Sequence, residues 1–245
     1  MRKLLFFLIV SISFFACTKD SKPTSVPSGN ISGSLQTFDD KLTAVSDASG
    51  FVVTLMNPGS TSMTTTTDAT GRFSFSNVPY DSYELSFLKS GYGTYRIFGL
   101  SHDSASTQIP HFSVGRTATT TVTTLTVAGN TFQGEPGVRF NYNVGSAPTT
   151  TNRAFVRYFL STSNTVSPTN YTAFSELINF TNNSAETGFT TRELISMGFT
   201  SGQTVWVRMF GDSWRSNDYF DPNLRRRVFP NVNTTSPAAI SFVIP

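Results

Sequence analysis

The chain of 245 residues carries 18 lysines and arginines against 15 aspartates and glutamates, with 23 phenylalanines, two histidines and a single cysteine. So small a charge imbalance lacks the basic footprint of a nucleic-acid partner, and one cysteine rules out an internal disulfide framework. Two histidines, with no Gly-rich phosphate loop and no His-Glu zinc motif, leave little material for a cofactor, a metal centre or a catalytic triad.

Met1-Arg2-Lys3 is a positive n-region, and Leu4 to Phe15 is an apolar run too short for a spanning helix, which needs about 20 residues. It reads as an export signal over residues 1–16. Phe14-Phe15-Ala16-Cys17 puts a small residue directly before the cysteine and resembles the lipobox at which lipoprotein signal peptidase cuts. The resemblance implies that Cys17 is acylated and that the mature protein is anchored to a membrane without spanning it. Residues 17–28, rich in Ser, Pro and charge, have the composition of a flexible tether. No acidic residue directly follows Cys17, so the expected address is the outer membrane of a Gram-negative cell, facing the periplasm or the exterior.

From residue 29 the pattern is all-β. Strands are expected over Ile31 to Gln36, Phe51 to Met56, Met63 to Thr67, Arg72 to Phe75, Ser82 to Leu88, Thr94 to Phe98 and Gln108 to Phe112, punctuated by Gly, Pro, Asn and Asp. Phe73 and Phe75 share one face, and Tyr83, Leu85 and Phe87 share another, so two strands can meet in one core. Asp68 and Gly71 bracket a tight turn. The carboxylate bonds backbone two residues on, and the glycine supplies positive φ.

These residues carry a family resemblance. Gly29-Asn30-Ile31-Ser32-Gly33, then Thr67-Asp68-Ala69-Thr70-Gly71-Arg72-Phe73-Ser74-Phe75-Ser76-Asn77-Val78-Pro79, then Tyr83-Glu84-Leu85-Ser86-Phe87 and Lys89-Ser90-Gly91-Tyr92 resemble the carboxypeptidase regulatory-like, transthyretin-like β-sandwich of bacterial surface proteins. The usual Gly before the Tyr83 strand is replaced by Tyr80-Asp81-Ser82, which implies a different turn there. The resemblance implies a first sandwich over 29–114.

Arg116 to Leu125 is expected as a further Thr-rich strand at the start of a second domain over 115–245. Its other strands are expected over Gly137 to Val144, Arg153 to Ser161, Gly202 to Gly211, Arg225 to Phe229 and Ala238 to Ile244. Thr191 to Gly198 is the one helical turn. Strand count and pattern resemble fibronectin type III or immunoglobulin-like modules, so the fold class is two tandem β-sandwiches.

Chemistry is thin along this chain. Ser101-His102-Asp103 reads as a polar loop, because adjacent side chains point in different directions and cannot form a triad. No specific carboxylate pair marks a glycosidase, and a hydrolase stays a distant alternative. Asp212, Asn217, Asp218, Asp221 and Asn223 have the oxygen ligands Ca²⁺ prefers but lack EF-hand spacing, and Asx residues also build ordinary turns. Arg225-Arg226-Arg227 fits a solvated edge discouraging strand pairing, or a contact with anionic headgroups or an acidic glycan. Trp214 and Tyr219 lie among Asp218 and Asp221 in one polar stretch. Either the rings cap a core, or rings and carboxylates together make a sugar-binding platform. The expected function is therefore a non-enzymatic, membrane-anchored binding or adhesion lipoprotein with a glycan or another surface protein as partner. The alternative is a structural accessory subunit of an outer-membrane complex or fimbria.

Overall fold

The computed structural model describes residues 26–57, 62–150, 152–180 and 184–245. The export segment, Cys17 and the tether up to residue 25 lie outside the described residues. The chain folds as two tandem β-sandwiches.

The first contains β1 (Ser28–Phe38), β2 (Ala44–Val45), β3 (Val52–Met56), β4 (Met63–Thr66), β5 (Arg72–Pro79), β6 (Asp81–Leu88), β7 (Tyr95–His102), β8 (Ser106–Gln108) and β9 (Phe112–Gly115). One sheet is built around β1, with β5 and β2 antiparallel to it and β8 and β9 parallel; the other runs β4-β3-β6-β7. The alternating residues of β5 and β6 meet across the sandwich: Phe73 and Phe75 face Leu85 and Phe87, all buried. Tyr80 is the single residue at which the chain passes from one sheet to the other.

The turn after β4 has the chemistry the sequence announces. Asp68 Oδ1 accepts from the Thr70 and Arg72 amides, at 2.8 and 2.9 Å, and Gly71 sits at φ +78°. A Cβ on Gly71 would lie 1.9 Å from the Leu35 carbonyl oxygen, so sterics and backbone both demand glycine here.

Three expectations for this half need correction. The stretch Gln108 to Phe112 is two short strands, because Pro110 has no amide to continue a ladder. The strand expected to end at Phe98 continues to His102 across a register shift, with Gly99 at φ +66°. His102 is therefore no loop residue: it is fully buried, its Nδ1 2.7 Å from Thr107 Oγ1 and its Nε2 3.2 Å from the Val78 carbonyl oxygen. The carbonyl can only accept, so Nε2 carries the proton and Nδ1 accepts from the threonine.

The second sandwich comprises β10 (Val122–Phe132), β11 (Glu135–Val144), β12 (Ala154–Ser161), β13 (Ala173–Phe174), β14 (Ile178–Phe180), β15 (Ser184–Thr190), α1 (Thr191–Ser196), β16 (Thr204–Gly211), β17 (Tyr219–Asp221), β18 (Arg226–Val228) and β19 (Ile240–Val243). A sheet of order β10-β11-β15 packs on one of order β13-β12-β16-β19, to which β14 adds beside β12. The helix is capped by Thr190, whose hydroxyl accepts from the Glu193 amide while Glu193 reaches back to the Thr190 amide.

Here too the structure differs from the sequence expectation. Residues 116–121 connect the sandwiches, and the strand begins only at Val122. The stretch around Arg225 to Phe229 pairs with β17 alone, as a separate hairpin. Every residue of β12 is buried. Val156, Tyr158 and Leu160 enter the sandwich core, while Phe159 belongs to a second cluster with Val166, Phe210, Phe229 and Val232 on the outer side of the sheet. That outer face is covered by the long excursion between β16 and β19, which also reaches the first domain.

Candidate binding site at the domain junction

The excursion after Gly211 is rich in Asx residues because it must satisfy backbone on both sandwiches. Asn217 Oδ1 accepts from the Gly115 amide at 2.7 Å, and its Nδ2 donates to the Ser113 carbonyl at 2.7 Å. Fully buried Asn231 accepts from the Gly93 amide at 3.0 Å and donates to the carbonyls of Gly115 and Arg215, at 3.1 and 2.6 Å. The approach is close enough to need glycine: a Cβ on Gly93 would stand 2.2 Å from the Pro230 carbonyl oxygen. Asp40, from the loop after β1, adds a further tie, its Oδ2 accepting from the Thr119 amide and hydroxyl at 2.7 Å each. The two sandwiches are clasped together.

Within this clasp the four residues singled out by sequence have separate partners. Trp214 packs against Phe38, centroids 5.6 Å apart, under the Arg215 guanidinium 4.0 Å from its ring. Tyr219 packs on Tyr95 at 5.9 Å and Phe98 at 6.0 Å. Asp218 pairs with Arg157 at 3.2 Å and also with Arg227. Asp221, buried, accepts from the Asn223 and Leu224 amides at 2.9 and 3.0 Å and so closes its own turn. Rings and carboxylates are spent on the junction and on local turns, and do not converge on one open platform.

Arg157, 2% exposed, is the electrostatic centre of this region. Its Nε donates to Asp212 Oδ2 at 2.9 Å, its Nη1 donates to the Ser175 carbonyl, and its guanidinium lies 4.7 Å from the Phe229 ring. Burial pushes the Asp212 carboxyl upward in pKa, opposed by the neighbouring Arg157 charge. The charge is matched and stacked, as a buried guanidinium requires. Nothing in the sequence pattern marked Arg157, because it sits inside an otherwise apolar strand. Among the described residues no group of His, Cys, Asp and Glu is placed to hold a metal ion.

What the clasp creates beside itself is a crevice of about 400 Å³ between the first sandwich and the tip of the β17–β18 hairpin. Met56, Tyr83 and Phe98 form its apolar part with Pro222; Asn57, Ser82, Glu84 and Asn223 bring polar groups to it. Phe98 is held at its angle by Tyr219 behind it. Glu84 Oε1 stands 3.1 Å from Arg96 Nη1 and accepts no well-aligned hydrogen bond. Tyr219 feels the same neighbourhood: burial raises its pKa, Arg96 lowers it, and Asp221 and Glu84 raise it. Chemically the crevice offers ring and aliphatic surface beside a carboxylate and two amides.

A second concavity, about 570 Å³, lies on the outer face of β1 and β5 and is lined by Ser32, Ser34, Arg72, Ser74, Gln108 and Asp68. The only aromatic side chain lining it, Phe73, is turned into the core.

The fold and this junction define a class, an all-β protein of two tandem sandwiches. Residues 43–128 match the family model of the carboxypeptidase regulatory-like domain; of the motifs that carry the sequence resemblance, those from Thr67 to Tyr92 fall inside that range and Gly29 to Gly33 lies before it. Among solved structures the chain is similar to a "putative carbohydrate binding protein" from Bacteroides uniformis ATCC 8492, at 12% identity over 89% of this chain and 99% of that one, TM-score 0.32. It is also similar to a DUF3823 family protein from Bacteroides ovatus ATCC 8483, at 15% identity over 89% and 100%, TM-score 0.29. A third is BcpA, the major pilin subunit of Bacillus cereus, at 10% identity over 89% and 69%, TM-score 0.33. All three scores are low, and nothing about this chain's ligand follows from them. No curated protein matches the chain.

Proposed function

We propose that this chain is a non-enzymatic surface lipoprotein, anchored through lipid on Cys17 to the outer membrane of a Gram-negative cell, whose clasped sandwiches bind a short glycan at the junction crevice. The observation that carries the reading is the composition of that crevice. A pyranose presents an apolar face and a rim of hydroxyls, and Phe98 with Met56 and Pro222 matches the first while Glu84, Asn57 and Asn223 match the second. The loop picked out by sequence serves the site from behind: Tyr219 buttresses Phe98, and Asp221 fixes the turn bearing Asn223. The second sandwich is of the fibronectin III or immunoglobulin-like kind, a reading supported by its three-stranded sheet of order β10-β11-β15 facing β12-β16-β19. Few polar contacts and little enclosure imply affinity of roughly µM to mM.

The test is a glycan array on the soluble form, residues 18–245, followed by titration of the best ligand against Glu84→Gln and Phe98→Ala. Binding lost in both, with melting temperatures kept, supports the site. Unchanged binding in both overturns it.

One observation favours a second reading, an accessory subunit of a surface assembly. β19 is a sheet edge with Val243 60% exposed, beside a groove of about 450 Å³ shared with β10, and an added strand pairs with such an edge. β10 itself is broken by register shifts that discourage pairing, so the glycan reading leads.

A further inference from the structure

The described chain begins at the same end of the molecule as the crevice. The Tyr80 amide donates to the Pro27 carbonyl at 3.0 Å, and two residues on, Ser82 lines the crevice together with Pro222 and Asn223. Large apolar side chains stand exposed on both segments: Val26 at 68% and Tyr80 at 36% where the described chain enters, Phe220 at 57% and Leu224 at 54% beside Pro222 and Asn223. The last two belong to the β17–β18 hairpin, where Phe220 lies opposite Arg227. Arg225, exposed and next to Leu224, makes no hydrogen bond or ion pair among the described residues, whereas Arg226 donates to the Thr169 carbonyl and Arg227 pairs with Asp218.

An apolar and cationic tip beside the exit of the chain is the arrangement a protein needs to rest on a membrane. We propose that this end of the first sandwich and the β17–β18 hairpin face the bilayer, with Phe220, Leu224 and Tyr80 entering the headgroup layer and Arg225 meeting lipid phosphates. The inference rests on the reading that Cys17 is acylated. Pro27 is the tenth residue after Cys17, and a chain of that length spans at most roughly 35 Å. Pro27 therefore stays within a tether's length of the headgroups, and the hairpin that meets Ser82 at the same end presents two exposed apolar side chains on one turn. The crevice then opens toward the membrane, and the saccharide it meets first is one carried on a lipid headgroup.

The experiment uses the full-length lipidated protein in vesicles of phosphatidylethanolamine and phosphatidylglycerol. With Cys17 consumed by lipid, Leu224→Cys and, in the turn that precedes β5 at the opposite end of that strand from Pro79, Thr70→Cys each give a single site for an environment-sensitive fluorophore. Headgroup-labelled quencher lipid is expected to quench the label at position 224 several-fold more than the label at position 70. Equal quenching at the two positions, with Cys17 acylated by intact mass, overturns the orientation alone. An unmodified Cys17 overturns the anchor and this orientation with it. Preferential quenching at position 224 that arises only when a glycolipid is added also overturns the proposal, because the crevice's sugar and not the bilayer is then the contact. Phe220→Ser with Leu224→Ser, read from a label at position 222 (Pro222→Cys), is expected to remove most of the quenching, and retention of full quenching counts against the apolar contact.

Discussion

Trp214, from the second sandwich, lies against Phe38 at the end of the first strand, ring centroids 5.6 Å apart and planes inclined at 60°. The pair sits where the Trp214 amide donates to the Asp40 carbonyl at 3.2 Å, so ring and backbone tie the same two segments. A tryptophan in a polar stretch thus acts as a fastener between domains, and the stiffness of the junction depends on it.

Removing that fastener should loosen the junction before it unfolds either sandwich. Trp214→Ala is expected to cost about 2–3 kcal/mol, less than truncation of a fully buried tryptophan. Gly93→Ala, which sets a Cβ 2.2 Å from the Pro230 carbonyl oxygen, should do the same through sterics. Small-angle scattering should report a longer maximum dimension for both, and limited proteolysis should cut near residues 116–121. An unchanged scattering profile would show that the clasp is dispensable.

The buried ion pair behaves differently. Asp212→Ala leaves the buried Arg157 with Asp218 as its one carboxylate partner, and breaking such a pair from one side costs on the order of 3–5 kcal/mol. Replacing both, as Arg157→Met with Asp212→Ala, removes the under-compensated buried charge and should recover part of that loss. Urea unfolding of wild type, Asp212→Ala, Arg157→Met and the double variant gives the cycle, and strict additivity would mean that the two groups are not coupled.

At the turn after β4, Gly71→Ala is expected to cost about 3 kcal/mol, combining a left-handed backbone with a collision against Leu35. Asp68→Ala should cost less, because its three bonds lie at the surface. A native-like denaturation midpoint for Gly71→Ala would contradict the turn.

Alkaline pH should act on the second sandwich. Burial pushes the Tyr142 hydroxyl up to about 12 and raises that of Tyr158 as well. An unfolded tyrosine titrates near 10, so the folded state favours the protonated form. That stability is fully present below pH about 10 and is lost as pH rises toward 12, no more than about 3 kcal/mol from Tyr142. Tyr142→Phe should remove its share of the pH dependence, measured as the denaturation midpoint between pH 9 and 12. A midpoint that falls equally in wild type and variant would show that Tyr142 does not carry it.

Much of the first sandwich was legible in the sequence because its strands alternate. Phe73 with Phe75, and Tyr83 with Leu85 and Phe87, name their buried faces directly, and Asp68 with Gly71 names the turn. The junction was not legible. Asn217 and Asn231 bond to Ser113, Gly115 and Gly93, more than a hundred residues away in every case, and no local pattern distinguishes such an asparagine from one that closes its own turn. Apolar residues flank Arg157 on both sides in sequence, and β12 is buried on both faces. The crevice draws on β3, β6, β7 and a distant hairpin, so its residues become neighbours only once the domains are clasped.

The most direct measurement is a crystal structure of the soluble form soaked with the strongest ligand from the array. The account predicts density for a sugar ring against Phe98, with a hydroxyl within hydrogen-bonding distance of Glu84, between β6–β7 and the turn bearing Asn223. A sugar seated instead on the Ser32–Ser74 face of the first sheet, or on Val243 at the open edge, with the crevice empty, would contradict it.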